Sequence, residues 1–72
     1  MVNVDKLKGR MVEKRINATD LAKKLEINRA SFYKKMKASG VTFSLREIDL
    51  MAETLNLTAE DVIAIFFSQY VA

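Results

Sequence analysis

Apolar residues recur at three- and four-residue intervals along most of the chain instead of alternating, a spacing that predicts an all-α protein. Leu7 and Met11 place a first helix over residues 4–14, with Asn3 as its N-cap, Asp5 in the positively polarised first turn, and Lys14 and Arg15 at its end. Gly9 inside it costs about 1 kcal/mol relative to alanine, which points to close approach of another helix. Asn17 then caps a second helix over 18–25, with Asp20 at its third position and Leu21, Ala22 and Leu25 as the inward stripe. In the turn Glu26-Ile27-Asn28, Ile27 plugs the angle between helices and Asn28 caps a third helix starting at Arg29. Phe32 and Met36 face inward by their spacing, Ser31 lies near the packing seam, and Arg29, Ala30, Tyr33, Lys34 and Lys37 face outward.

A polar connection with Gly40 as helix terminator leads to Ser44-Leu45-Arg46-Glu47, a capping-box pattern for a fourth helix over 45–55. Leu45, Ile48, Met51 or Ala52, and Leu55 supply its apolar face, leaving Glu47, Asp49 and Glu53 to solvent. A second box, Thr58-Ala59-Glu60-Asp61, opens a fifth helix over 59–71. This helix has two apolar sets, Val62, Ile65 and Phe66 on one side and Ile63, Phe67 and Tyr70 on another. One set closes the core; the other is a candidate protein interface unless the tail folds back over it. Its Ile, Phe, Tyr and Val content also allows an extended ending.

Length and composition narrow the chemistry. Seventy-two residues suit a single domain, 1–72, with the helix-turn-helix at 17–37. A domain of this size buries only about 60% of its unfolded surface, so the core must be well used. Without cysteine there is no disulfide framework, and without histidine there is no familiar metal site and no imidazole base. Gly9 and Gly40 are too far apart to form a phosphate-cradling loop, so no cofactor, no metal and no catalytic residue is expected, and the chain does not read as an enzyme. The longest apolar run, 62–67, is far short of the roughly 20 residues that span a bilayer, which predicts a soluble, cytoplasmic protein with no membrane partner. The net charge of +3 divides unevenly: residues 1–40 hold 11 Lys/Arg against 4 Asp/Glu, giving +7, and residues 41–72 hold 1 against 5, giving −4. A basic half carrying a helix-turn-helix is expected of a phosphate-binding surface.

The stretches Asn17-Ala18-Thr19-Asp20-Leu21-Ala22-Lys23-Lys24-Leu25, Ile27-Asn28-Arg29-Ala30-Ser31-Phe32-Tyr33, Phe43-Ser44-Leu45-Arg46-Glu47-Ile48 and Ile65-Phe66-Phe67 resemble the Cro/CI-type helix-turn-helix regulators of phages and bacteria. They look most like small regulators from prophages of Gram-positive bacteria. The resemblance implies a compact five-helix, lambda-repressor-like fold whose third helix reads the major groove while the second spans the backbone. By position, Asn28, Arg29, Ala30 and Tyr33 fall where the family contacts base edges or flanking phosphates, and Asn17, Lys34, Lys37 and Ser39 fall near the sugar-phosphate backbone. Arg29 suits bidentate bonding to guanine, worth about 1–3 kcal/mol of base discrimination. Tyr33 is alternatively an exposed ring resting on lysine stems. Two departures stand out: Glu26 occupies a turn position where glycine is common, implying φ > 0 and a negative charge near DNA, and Ala18 stands where many members have glutamine.

Two functions follow from the resemblance. One is a transcriptional regulator of a lysis-lysogeny switch, bound to double-stranded operator DNA as a homodimer joined through the fifth helix, with half-sites about 34 Å apart. The other is an antirepressor similar to the lactococcal-phage modulator of repression, acting in a heteromer with its cognate CI-type repressor. In that case Glu47, Asp49, Glu53, Glu60 and Asp61 would meet the repressor's basic DNA-reading surface, or the third helix would itself pack on the partner.

Overall fold

A computed structural model of the chain describes residues 2–37 and 43–70. Its helices are α1 (Val4–Glu13), α2 (Ala18–Lys24), α3 (Arg29–Lys37), α4 (Leu45–Thr54) and α5 (Ala59–Phe66), followed by a 3-10 turn at Ser68–Tyr70. The described residues contain no strand; the fifth helix ends at Phe66, short of the expected 59–71, and continues into the 3-10 turn, while residue 71 lies outside the described residues.

Each start is set locally. The side-chain oxygens of Asn3, Asn17 and Asn28 accept the backbone N–H groups of Lys6, Asp20 and Ser31 at 3.1, 2.8 and 2.7 Å. Both capping boxes form: Ser44 with Glu47, and Thr58 with Asp61, each pair bonded in both directions. Every such cap satisfies an amide that the helix itself cannot, for about 1 kcal/mol.

Three helix ends are built alike. Arg15, Glu26 and Asn56 have φ of 56°, 60° and 52°, the left-handed conformation, and each follows the C-cap of α1, α2 or α4. The amides of these residues bond to the carbonyls of Val12, Lys23 and Glu53. The amides of the next residues, Ile16, Ile27 and Leu57, reach back to Met11, Ala22 and Ala52 at 3.0, 3.0 and 2.8 Å. This is the Schellman pairing, and its apolar residue packs on the core each time. Asn17, Asn28 and Thr58 then cap the following helix, so one four-residue turn makes the α1–α2, α2–α3 and α4–α5 corners.

Leu7, Leu21, Leu25, Phe32, Met51, Leu55 and Ile65 are fully buried and draw on every helix. α2 packs on α3 and α4, and α5 on α1 and α4. Phe43 extends this core as an aromatic bridge, its ring 5.9 Å from Phe32 of α3 and 6.1 Å from Phe66 of α5. Such tilted and edge-on pairs add about 0.5–1.5 kcal/mol beyond burial. Arg10 of α1 is held by Asp61 of α5 at 2.9 Å and by Glu13 at 3.0 Å, which raises its pKa, and Asn3 N–H donates to the Ile65 carbonyl at 2.6 Å.

The first turn of α4 reverses the sequence expectation. Leu45, assigned to the apolar face, is 78% exposed, whereas Glu47, assigned to solvent, is 6% exposed. Both Glu47 carboxylate oxygens accept from Lys35 Nζ at 2.9 Å, and Oε1 also accepts the Ser44 N–H at 2.8 Å. A carboxylate with that many donors is better satisfied inside than out, and turning it inward rotates Leu45 away. Burial pushes the Glu47 carboxyl up, but the Lys35 and Ser44 hydrogen bonds outweigh it and hold it below its ordinary value of 4.5. Gly9 gives a second correction, since a Cβ built there meets nothing within 4 Å and no close helix contact explains it.

Two outcomes are expected. Gly9→Ala should stabilise the fold by about 1 kcal/mol, seen as a higher midpoint in thermal melts followed by circular dichroism; a lower midpoint would show that the glycine is required. Because the folded-state Glu47 carboxyl lies below its ordinary value, its stabilisation is complete above pH 4.5 and is lost as the pH falls through the folded-state value. Glu47→Gln should lower stability at neutral pH by about 2 kcal/mol and flatten the acid limb of a urea-midpoint profile. An unchanged acid limb would assign the acid sensitivity elsewhere.

Candidate nucleic-acid interface

α2, the left-handed turn and α3 set a row of polar side chains on one side of the molecule. α2 buries Ala18, Leu21 and Ala22, and α3 buries Phe32 and Met36, which leaves Arg29, Ala30, Tyr33, Lys34 and Lys37 of α3 exposed, as their periodicity requires. Ser31 is half-buried at the seam. Ser39 lies outside the described residues.

Asn17 and Asn28 flank this surface, both exposed, with their side-chain oxygens committed to capping. Each therefore keeps its NH2 group as a donor directed by a fixed helix terminus. Arg29 and Tyr33, one helical turn apart, are stacked: the guanidinium carbon lies 5.4 Å from the ring centroid. Tyr33 also meets Phe32 edge-on at 6.2 Å, so the ring rests on Arg29 and the core. The stack restricts the rotamers of Arg29 while leaving its planar donor fork exposed.

Ion pairing divides the cations. Among the described residues Arg10, Lys35 and Arg46 have carboxylate partners, while no carboxylate lies within ion-pair distance of Arg29, Lys34 or Lys37. Glu26, in the turn, is met by Arg46 of α4 at 3.3 Å. That pair is exposed on both sides and contributes little to stability, but it offsets the negative charge at the edge of the surface.

Two contributors escape a reading of helix periodicity. Arg46 is one, because its partner is twenty residues upstream. Lys8 is the other: with Val12 of α1 it lines an open, mainly apolar groove of about 280 Å³ that Asn17 and Tyr33 also line, floored by Phe32 and Met36. Lys8 thus brings a cation from α1 to the edge of the helix-turn-helix surface.

The second half of the chain distributes its candidates differently. Ile63 is 48% and Tyr70 78% exposed, whereas Phe67 is half-buried against the core. Asp49, Glu53 and Glu60 are exposed. Glu47 is inside, and Asp61 is held by Arg10 and Thr58, which lower its pKa, so neither carboxylate is available to a partner as the sequence suggested. No helix of the described residues is long and apolar enough to cross a membrane.

The sequence matches the Cro/C1-type HTH DNA-binding domain over residues 6–67, a span that includes α2, α3, α4 and α5 entire. No curated relative and no solved structure matches the chain. A match over that span, carried by five helices with an unpaired basic face on the third, identifies the chain as a member of the Cro/C1-type helix-turn-helix family of DNA-binding regulators.

Proposed function

We propose that the chain is a phage-type transcriptional regulator that reads operator DNA with α3 in the major groove and takes part in a lysis-lysogeny switch. The observation that carries this is the exposed α3 face, where Arg29 is stacked on Tyr33 and neither Arg29, Lys34 nor Lys37 has a carboxylate partner. Arg29 supplies the bidentate donor for guanine O6 and N7, and Ala30 is small and apolar enough to meet a thymine methyl. Asn17 and Asn28 donate their NH2 groups to phosphates or flanking bases, and Lys34, Lys37 and Ser39 add contacts to the backbone. The phage setting rests on the resemblance of the sequence to prophage regulators.

One unit of this size makes too few base contacts for operator-grade specificity, and two-fold pairing supplies the rest. Ile63 and Tyr70, with the half-buried Phe67 between them in sequence, give α5 and its tail an apolar patch suited to an isologous dimer. A second function, antirepression, is favoured by the exposed carboxylates Asp49, Glu53 and Glu60, which have no ion-pair partner among the described residues and suit the basic surface of a CI-type repressor.

Mobility shifts with DNA from around its own gene, using this protein and the neighbouring repressor alone and mixed, separate the two. The protein alone should shift its operator, and Arg29→Ala should weaken that binding by roughly 10- to 100-fold with little effect on unrelated DNA. Lys34→Ala should weaken both alike and lower the salt slope by about one. Loss of the repressor's shift with no shift by this protein would instead establish antirepression. Ile63→Asp should convert the dimer to monomer in sedimentation at micromolar concentration; an unchanged mass would remove α5 as the join.

A further inference from the structure

We propose that the groove between α1 and α3 receives the exposed acidic face of α4 from a second copy of this chain, and that this self-docking covers the DNA-facing side chains. The groove is open and mainly apolar, with Phe32 and Met36 as its floor and Lys8, Val12, Asn17 and Tyr33 at its sides. At about 280 Å³ it falls just below the range of roughly 300–1,000 Å³ typical of small-molecule sites, while side-chain anchors from a helix fit it well. Val12 stands 77% exposed beside it, an apolar side chain that nothing in the described structure covers.

The complementary element is on the same chain. Leu45, Asp49 and Glu53 recur at four-residue spacing and so share about a quarter of the circumference of α4. All are exposed, and Asp49 and Glu53 have no ion-pair partner among the described residues. Leu45 is the apolar anchor that a groove of this kind accepts, and the carboxylates that follow it suit Lys8 at its side.

Charge selects the pairing. Among the described residues Lys8 is the one charged residue lining the groove and Asp49 and Glu53 are the acids of the α4 face, so groove against groove sets Lys8 on Lys8, and α4 face against α4 face sets acid on acid. Groove against α4 face joins opposite charges in a heterologous contact, distinct from any isologous pairing through α5. Since Asn17 and Tyr33 line the groove, a docked α4 occupies the surface assigned to DNA, and the protein at high concentration withholds its own reading helix. That last consequence rests on the reading of α3 as the DNA-facing helix; the self-docking does not.

Sedimentation velocity on the full chain carrying Ile63→Asp, which takes α5 out of play, tests the contact. This chain should associate with rising concentration, and a roughly tenfold increase in salt should return it to monomer. Adding Val12→Asp to one preparation and Leu45→Lys to another should make each monomeric, with circular dichroism unchanged because both positions are exposed, and an equimolar mixture should regain a heterodimer through the one intact groove and the one intact α4 face. A parent chain that stays monomeric, or a mixture that does, overturns the proposal. So does a monomeric mixture whose parent binds the cognate repressor through a surface that Val12→Asp destroys, since the groove then serves a foreign protein. Duplex DNA should dissolve the assembly; DNA bound on an intact assembly overturns the covering of the reading surface. If the assembly forms and no variant binds DNA, self-docking stands and the reading of α3 fails.

Discussion

A left-handed residue closing α1, α2 and α4 is the constraint on which the arrangement of helices depends. Arg15, Glu26 and Asn56 take φ between 52° and 60°, and that reversal sends the next amide back to a carbonyl five residues earlier. The same reversal points Ile16, Ile27 and Leu57 into the core and delivers Asn17, Asn28 and Thr58 to the start of the next helix. Stop, plug and start are therefore one event within four residues. None of the left-handed positions is glycine, so Arg15 and Glu26 bear a steric cost of about 1 kcal/mol or more, and Asn56 less. Full burial of such a side chain contributes about 1.5–3 kcal/mol, and the partial burial of Ile16, Ile27 and Leu57 offsets that cost in part.

The turn at Glu26 sets α3 against α2, but α3 is fixed from its other end by different physics. Lys35 reaches the buried Glu47, which is itself anchored by the Ser44 capping box, and Phe43 fills the space between Phe32 and Phe66. A charge pair of this kind is not a large net source of stability, because desolvation offsets most of its attraction. What it contributes is position: with Lys35 removed, the Glu47 carboxylate is left inside the protein without its cation. The inward face of α3 is thus pinned by packing and by the Lys35–Glu47 pair, while its outward face carries the Arg29–Tyr33 stack.

Most of the fold was legible in the sequence because most of its determinants are local. The caps at Asn3, Asn17, Asn28, Ser44 and Thr58 each involve residues three apart, and the inward stripes of α2 and α3 follow from helical periodicity alone. The misplaced carboxylates turn on contacts made at a distance. Leu45 and Glu47 exchanged places because the partner of Glu47 is twelve residues upstream on another helix, where the spacing of apolar residues carries no signal. Asp61, expected among the acids offered to a repressor, is held for the same reason, its partner Arg10 lying fifty-one residues away. The outward α3 face was readable; the groove beside it was not, since Lys8 and Val12 reach it through the packing of α1.

The separation of paired from unpaired cations fits the role proposed for α3 in meeting DNA. An exposed ion pair on α3 would stabilise the fold by at most about 1 kcal/mol, and commonly by nothing measurable. The same carboxylate would hold Lys34 or Lys37 away from a phosphate and cost one counterion-release contact, to which affinity responds steeply at low salt. Pairing is instead confined to Arg10 and Lys35, which join helices, and to Arg46, which faces the acid in the turn. Of the four pairs among the described residues, Arg10–Asp61 and Lys35–Glu47 have a carboxylate less than one-fifth exposed, where pairing matters for packing; Arg10–Glu13 lies within α1, and Arg46–Glu26 offsets an acid that would repel DNA at the proposed reading surface. Charges that hold the helices together and the cations proposed to meet DNA thus occupy different residues, so the exposed α3 face can change its side chains without loosening the fold beneath it.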